Sequence, residues 1–275
     1  MSKCNSCPAK NNCSKAQEGC TIINNPLNSI NRVIGVMSGK GGVGKSTIST
    51  LIAEGLRSEG YRVGIMDADI TGPSIPRLLG LKDVQVVSKN GLIQPALTDN
   101  GIKVMSFNLL MEDENQPVIW RGPIVSSAVK QFWTDVYWGD LDYLVIDMPP
   151  GTGDVALTVM DSIPINGLVM VSVPQDMVSM IVAKAVNMAK KLNIDILGVV
   201  QNMSYIQCPN CDDKIRMYDG ENIEKFLKEL GLELLGELPM VKEISNISFK
   251  GYHSSKESIE KLFNPILSKI IEAID

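Results

Sequence analysis

The sequence predicts an α/β fold in which a mostly parallel sheet is covered by helices on both faces. Two observations support this prediction: apolar runs of strand length recur along the chain, and segments with helical apolar spacing separate them. The 275 residues, 44% of them hydrophobic, are enough for one large domain or two small ones. In such a sheet, ligands bind at the carboxyl ends of the strands.

The first half of the chain begins with a βαβ unit. Residues 33–38 form an apolar strand, a glycine-rich loop follows, and Ile48, Leu51, Ile52 and Leu56 then fall at helical spacing. Residues 62–67 are the next buried strand. Further along, the patterns predict a β-hairpin over 84–95 around Asn90-Gly91, a strand over 101–107 and a helix over 126–138.

The second half continues the alternation. It predicts strands over 141–147, 167–173, 196–200 and 234–238, and helices over 178–192 and 258–274. The last helix has one apolar face, and its polar face mixes lysines with acids. Because helices that lie on membranes usually carry a basic polar face, we expect this helix to pack on its own domain.

The loop after the first strand has the spacing of a phosphate-binding P-loop. It runs Gly39-Lys40-Gly41-Gly42-Val43-Gly44-Lys45-Ser46-Thr47 and fits G-x-x-x-x-G-K-[ST]. Its backbone N–H groups and the following helix N-terminus would bind phosphates, Lys45 would reach the outer phosphates, and Ser46 would bind Mg²⁺. The alternative is a glycine-rich turn without a ligand, but the strand–loop–helix context favours the nucleotide site.

Three acids follow apolar strands that we expect to lie next to the P-loop strand in the sheet. Asp67 and Asp69 come after the second strand, and Asp147 ends the strand over 141–147. Acids in these positions can orient Mg²⁺ or the attacking water, or they can merely cap helices. The sequence does not decide whether Asp67 or Asp69 is closer to the water. Gly151 and Gly153 follow Asp147 and would let this loop approach the γ-phosphate through its backbone N–H groups.

The six cysteines are clustered, which indicates metal binding and not scattered core packing. Cys4, Cys7, Cys13 and Cys20 lie in a polar segment, residues 1–28, that lacks apolar periodicity, and residues 29–275 form the predicted globular domain. Four thiols are enough to bind either Zn²⁺ or an Fe–S cluster, and their spacing does not distinguish between these two. The alternative is a tail with incidental cysteines.

Cys208 and Cys211 form a C-x-x-C pair. Two thiolates cannot hold a [4Fe–4S] cluster, which takes four cysteine ligands, but two copies of the chain would supply four. A redox dithiol and a Zn²⁺ site shared between two chains are the alternatives.

Charge and hydropathy limit the partners. The net charge of −5 gives no general attraction to nucleic acid or to anionic membranes. No apolar run has the length of a membrane span, and the N-terminus lacks the apolar core of a signal peptide. We therefore expect a cytoplasmic protein with no nucleic-acid or membrane partner, in a reducing compartment where disulfides are rare.

Lys40, directly after the first P-loop glycine, resembles the extra lysine of the deviant Walker A motif in MinD, ParA and the nitrogenase iron protein. The resemblance implies an ATP-dependent homodimer in which this lysine reaches the partner's nucleotide. Four further segments, 67–76, 120–123, 147–154 and 201–211, together resemble the Mrp/ApbC/Nbp35 family of P-loop ATPases that carry iron–sulfur clusters.

This family resemblance implies several site roles. Asn202 would contact the adenine, and backbone near Pro239 would complete the base pocket. Asp69 would activate water, and Asp67 would lie nearer the metal or a switch hinge. The spacing Cys4-Cys7-Cys13 resembles the N-terminal extension of the Nbp35 branch, whereas Cys20 is added as fourth ligand from ligand count alone.

The expected function is an ATP-hydrolysing carrier that holds a [4Fe–4S] cluster between two chains and transfers it to apo-proteins. Lys40 and Lys45 would neutralise phosphate charge, and Ser46 and Asp147 would position Mg²⁺. Two rival functions are a positioning ATPase like MinD or ParA, which needs no cysteines, and an electron-donating reductase like the nitrogenase iron protein, whose ligands are two well-separated cysteines per subunit.

Overall fold

The computed structural model describes residues 24–70, 72–81, 84–89, 91–111, 122–176, 180–208, 210–211, 213–217 and 223–275. Its strands are β1 (Ser29–Ser38), β2 (Val63–Asp67), β3 (Ser88–Lys89), β4 (Leu92–Ile93), β5 (Ala96–Leu97), β6 (Lys103–Met105), β7 (Asp140–Asp147), β8 (Gly167–Ser172), β9 (Ile196–Gln207), β10 (Lys214–Ile215) and β11 (Leu234–Pro239).

The α-helices alternate with these strands. They are α1 (Lys45–Ser58), α2 (Ile75–Leu78), α3 (Gly122–Thr134), α4 (Asp154–Ser162), α5 (Met180–Lys191), α6 (Ile223–Leu230), α7 (Lys242–Ser245), α8 (Ile247–Lys250) and α9 (Lys256–Ile274).

The described strands form a mostly parallel sheet, as expected. The strand order is β10-β9-β8-β1-β7-β2-β6-β5, and β11 pairs with β9. The pairs β10–β9 and β5–β6 are antiparallel, whereas the pairs that β1, β2, β7, β8 and β9 form with one another are parallel. β3 and β4 form a separate antiparallel pair within the predicted hairpin: Ser88 pairs with Ile93, and Lys89 pairs with Leu92.

Helices cover both faces of the sheet. Alternate residues of β1 enter two separate cores: Ile34 packs with residues of α1 and α9, and Val33 packs with residues of α3, α4 and α5. On the α1 side, a Cβ on Gly55 would lie 2.7 Å from a methyl carbon of Leu267 in α9, so glycine permits this close helix contact. The last helix therefore packs on its own domain.

Several elements differ from the sequence expectation. The helix predicted over 126–138 ends at Thr134, because the following residues extend along β4: Val136 bridges Ile93, and Tyr137 N–H donates to the Ile93 carbonyl at 2.9 Å. The strand predicted to end at residue 200 continues to Gln207. Helices α4 and α6 were not predicted, although the buried Leu227 of α6 has helical apolar neighbours in the sequence. The four-residue helices α2, α7 and α8 were not predicted either. Across the described residues, no helix is long and apolar enough to cross a bilayer.

Candidate nucleotide and cluster sites

The P-loop and the three acids meet at one edge of the sheet. β7 lies between β1 and β2, so Asp147 is in register with both Val36 of β1 and Asp67 of β2. Asp147 is thus on the strand next to the P-loop strand, whereas Asp67 is one strand further away than the sequence suggested. This is the carboxyl edge of the parallel strands, where ligands bind in such folds.

The P-loop has the backbone that its glycines predict. Gly42 and Gly44 adopt φ angles of +82° and +85°, which residues with a Cβ rarely adopt. The Gly151 N–H donates to the Ser38 carbonyl at 2.8 Å, so the loop after β7 lies directly against the P-loop. Lys40 is exposed and Lys45 is buried at the start of α1. The remaining loop residues, Gly39, Gly41, Val43 and Thr47, occupy the same short segment.

Lys45, Ser46 and Asp147 form one cluster, in which Lys45 and Asp147 are buried and Ser46 is half-buried. Lys45 Nζ lies 2.8 Å from Asp147 Oδ1, and the Ser46 hydroxyl donates to Asp147 Oδ2 at 2.6 Å. The Ser49 hydroxyl, one helical turn further along α1, donates to Asp147 Oδ1 at 2.7 Å. A hydroxyl and a carboxylate side by side are oxygen ligands of the kind that Mg²⁺ prefers, so this donor set fits the metal that the P-loop motif implies.

The two acids after β2 occupy different environments. Asp67 is fully buried and accepts hydrogen bonds from the N–H groups of Asp69, Ser74 and Ile75, at 3.1 to 3.3 Å. Burial, followed by the charge of Asp147, raises the pKa of Asp67 to about 8. Asp69 is partly exposed, and its Oδ2 lies 3.7 Å from Lys45 Nζ. Asp67 therefore holds the segment that follows β2, and Asp69 lies beside Lys45.

Asn202 lies against the P-loop. Its side-chain amide donates to the Val43 carbonyl at 2.9 Å, and a Cβ on Gly44 would lie 2.2 Å from its Nδ2 atom. Pro239, at the end of β11, is in register with Tyr205 of β9. The structure therefore places Asn202 of β9 against the P-loop and pairs the end of β11 with β9 three residues further along.

Cys208 and Cys211 lie in the tight connection between β9 and β10. Gln207 pairs with Lys214, and the Cys208 N–H donates to the Asp213 carbonyl at 3.1 Å. Cys208 is half-buried and Cys211 is exposed. The N–H of Asn210 and then the thiol of Cys211 donate to the Cys208 sulfur and lower its pKa, which favours the thiolate that binds metal.

The described part of the chain contains no group of three or more His, Cys, Asp and Glu side chains that could hold a metal ion. Within the described residues, Cys208 and Cys211 therefore offer two of the four thiolates that a [4Fe–4S] cluster takes. The predicted N-terminal ligands Cys4, Cys7, Cys13 and Cys20 lie outside the described residues.

The sequence did not lead us to two hydroxyl groups of the nucleotide site, those of Ser49 and Ser106. Ser49 has a detectable signal, because it lies four residues after Lys45 and so on the same helix face. Ser106 donates to Asp67 Oδ2 at 3.1 Å from the end of β6. That contact joins strands that are far apart in sequence, and no local pattern indicates it.

The fold and the P-loop geometry define a P-loop nucleoside triphosphatase. Residues 29–275 match the family model described as "ParA: NUBPL iron-transfer P-loop NTPase", and the chain belongs to this family.

Similar proteins carry related names. An "Iron-sulfur cluster carrier protein" of Clostridium perfringens is 46% identical, with 100% of both chains covered, and one of Methanocaldococcus jannaschii is 44% identical, covering 99% of this chain and 97% of the relative.

Solved structures show the same fold. A nucleotide-binding protein of Archaeoglobus fulgidus, in complex with ADP, has a TM-score of 0.71 at 40% identity, over 81% of this chain and 87% of that one. MinD of Pyrococcus horikoshii with Mg-ADP has a TM-score of 0.60 at 20% identity, over 87% of this chain and 96% of that one; this likeness concerns the fold alone.

Proposed function

We propose that this protein is an ATP-hydrolysing carrier of iron–sulfur clusters that binds a [4Fe–4S] cluster between two copies of the chain and transfers it to apo-proteins. The observation that carries the proposal is the placement of the thiols of Cys208 and Cys211 directly after a strand, β9, that also contacts the P-loop. The names of relatives matched over nearly their full length support an iron–sulfur cluster as the cargo. The expected location is the cytoplasm.

In the proposed ATPase site, charge neutralisation and positioning supply the catalysis. Lys45 and the partner-directed Lys40 neutralise the phosphates, and Ser46 and Asp147 hold Mg²⁺, which would neutralise charge on the phosphate oxygens when bound. Asp69 orients the water, because it is the partly exposed acid near Lys45. Asp67 acts as the hinge of the following segment through its backbone contacts.

Two further parts of the proposed site contact the nucleotide. The loop that contains Gly151 approaches the γ-phosphate. Asn202, together with backbone near Pro239, contacts the adenine.

In the proposed cluster site, Cys208 and Cys211 from two chains supply the four thiolates that a [4Fe–4S] cluster takes. The exposed connection between β9 and β10 makes both sulfurs accessible to a second chain. ATP binding would favour the dimer through Lys40, and hydrolysis would then change the interface that holds the cluster. Cys4, Cys7, Cys13 and Cys20 are proposed to form a second cluster site in each chain.

Anaerobic reconstitution with iron and sulfide tests the cargo and its ligands. Wild type should hold about three clusters per dimer, and C208S/C211S should hold about two, since only the shared site is lost. The matched variant C4S/C7S should keep the shared cluster and its transfer to an apo-ferredoxin. A protein that takes zinc and refuses iron, or a C208S/C211S variant with unchanged iron content and transfer, would contradict the proposal.

A further inference from the structure

Strand β9 joins the nucleotide site to the cysteine pair within seven residues. At one end, Asn202 donates to the Val43 carbonyl of the P-loop. At the other end, Gln207 pairs with Lys214 just before and after the cysteines. A change at the P-loop that reaches Asn202 through this hydrogen bond therefore has a short path along β9 to Cys208.

The cysteine loop itself has a weak backbone attachment. β10 contains two residues, Lys214 and Ile215, and both are exposed. A ladder this short leaves the orientation of the loop relative to the sheet poorly fixed by backbone pairing alone. Side chains must supply the remaining constraint.

A polar cluster of three residues, Arg216, Glu237 and Ser204, constrains the cysteine loop relative to the sheet. Arg216, which follows β10, donates from Nη1 to Glu237 Oε1 at 2.8 Å and from Nη2 to Glu237 Oε2 at 2.9 Å. The Ser204 hydroxyl of β9 donates to Glu237 Oε1 at 2.8 Å, and Arg216 Nη1 also lies 3.3 Å from Ser204 Oγ. The cluster thus ties β9, β11 and the segment after β10 together at one carboxylate.

The geometry of this cluster is more restrictive than that of an ordinary surface ion pair. Two parallel hydrogen bonds fix both the position and the plane of the guanidinium. Ser204 is 4% exposed and the Glu237 side chain 18% exposed, so the carboxylate is largely shielded from water. Lys214 adds a further cation 3.8 Å from Glu237 Oε2 and also lies over the Tyr205 ring.

We propose that Glu237, with Arg216 and Ser204, is a positioning residue through which the nucleotide state of the P-loop sets the orientation of Cys208 and Cys211. The inference rests on the proposed function for its consequence, cluster release, but not for its structural effect on the thiols. Movement of Val43 displaces β9 through Asn202, and the bidentate contact makes the segment after β10 follow β9 and β11 as one unit.

The test uses E237Q and R216Q in the full-length chain. Gln at position 237 keeps the shape and an acceptor for Ser204 but removes the charge, and R216Q removes the bidentate donor. Two quantities are compared with ADP and with a non-hydrolysable ATP analogue: the alkylation rates of Cys208 and Cys211 in the metal-free protein, mapped by mass spectrometry, and the rate of cluster transfer from the reconstituted protein.

In wild type, both rates should differ between the two nucleotides by at least about 5-fold, the lower end of usual allosteric couplings. In E237Q and R216Q, the difference should fall below about 2-fold, with nucleotide affinity and iron content unchanged within about 2-fold. The swapped pair R216E/E237R should recover part of the nucleotide effect. R62Q, which breaks a comparable ion pair with Asp142 at distances of 2.7 and 3.1 Å, should behave as wild type.

Three results would overturn the inference: equal alkylation of the wild-type thiols with both nucleotides, a full nucleotide effect in E237Q and R216Q, or the same loss in R62Q. Failure of the proposed function looks different, because the protein would then refuse iron while its alkylation rates still followed the nucleotide through Glu237.

Discussion

In the nucleotide site, the surroundings strongly change the ionisation of the buried Asp67 carboxyl. Burial and the charge of Asp147 raise the pKa of this carboxyl to about 8, whereas its ordinary pKa, as in the unfolded chain, is 3.8. Between these two values the folded state keeps a proton that the unfolded state has lost. The stability of the nucleotide-free protein should therefore fall as pH rises from about 4 to about 8, by at most about 1.4 kcal/mol per pH unit from this group.

D67N tests this expectation, because it removes the titrating group. In guanidinium unfolding with EDTA at pH 5 to 8, wild type should lose stability more steeply than D67N. D142N is the matched control, since Arg62 holds the pKa of Asp142 at about 2, below this pH range. Parallel stability curves for wild type and D67N would show that the Asp67 carboxyl is not protonated in the folded protein.

Single residues also show what sequence can and cannot predict in the site. Lys45, Ser46 and Asp147 were expected from motif and strand position, and the structure brings all three together. Ser106 and Glu237 were not expected, because each acts through a contact between strands that are distant in sequence. A motif records the residues around one loop, whereas these contacts depend on the strand order.

Among the elements, the P-loop and the middle of β9 are in direct contact at the nucleotide site. Gly44 combines a φ of +85° with a position where a Cβ would lie 2.2 Å from Asn202 Nδ2. G44A should therefore strain the loop and push Asn202 away from the Val43 carbonyl. We expect nucleotide affinity to fall by at least about 10-fold, or about 1.4 kcal/mol, in isothermal titration calorimetry.

The control G91A separates strain from contact. Gly91 has a φ of +78°, but a Cβ there would meet no atom within 4 Å. G91A should cost about 1 kcal/mol of stability and leave nucleotide affinity unchanged. If G44A and wild type bind the nucleotide with equal affinity, the contact with Asn202 does not set the conformation of the P-loop.

Element boundaries were less predictable than element types. The sequence predicted a strand that ends at residue 200, yet the polar residues that follow, Gln201 and Asn202, are buried within β9. Their burial follows from neighbours in the P-loop and in β11, which apolar periodicity does not record. The extension of β9 is the feature that carries the chain from the nucleotide site to the cysteines.

At the scale of the whole molecule, two separate features call for a second copy of the chain. Lys40 is exposed on the P-loop, and the pair Cys208 and Cys211 supplies half of the thiolates of a [4Fe–4S] cluster. Because the two features lie in different parts of the sequence, they can be tested separately. A metal-free protein isolates the contribution of Lys40.

K40A should therefore weaken dimerisation that depends on ATP without removing nucleotide binding. In sedimentation velocity on metal-free C208S/C211S protein, a non-hydrolysable ATP analogue with Mg²⁺ should promote dimers, and K40A should lower the dimer affinity by at least about 10-fold. The reason is that the lysine charge would neutralise phosphates bound to the partner chain, while Lys45 serves the chain's own nucleotide. K89A, at an exposed lysine of β3, should dimerise normally. If K40A dimerises as strongly as K89A, Lys40 does not reach across the interface, and the cluster alone must hold the two chains together.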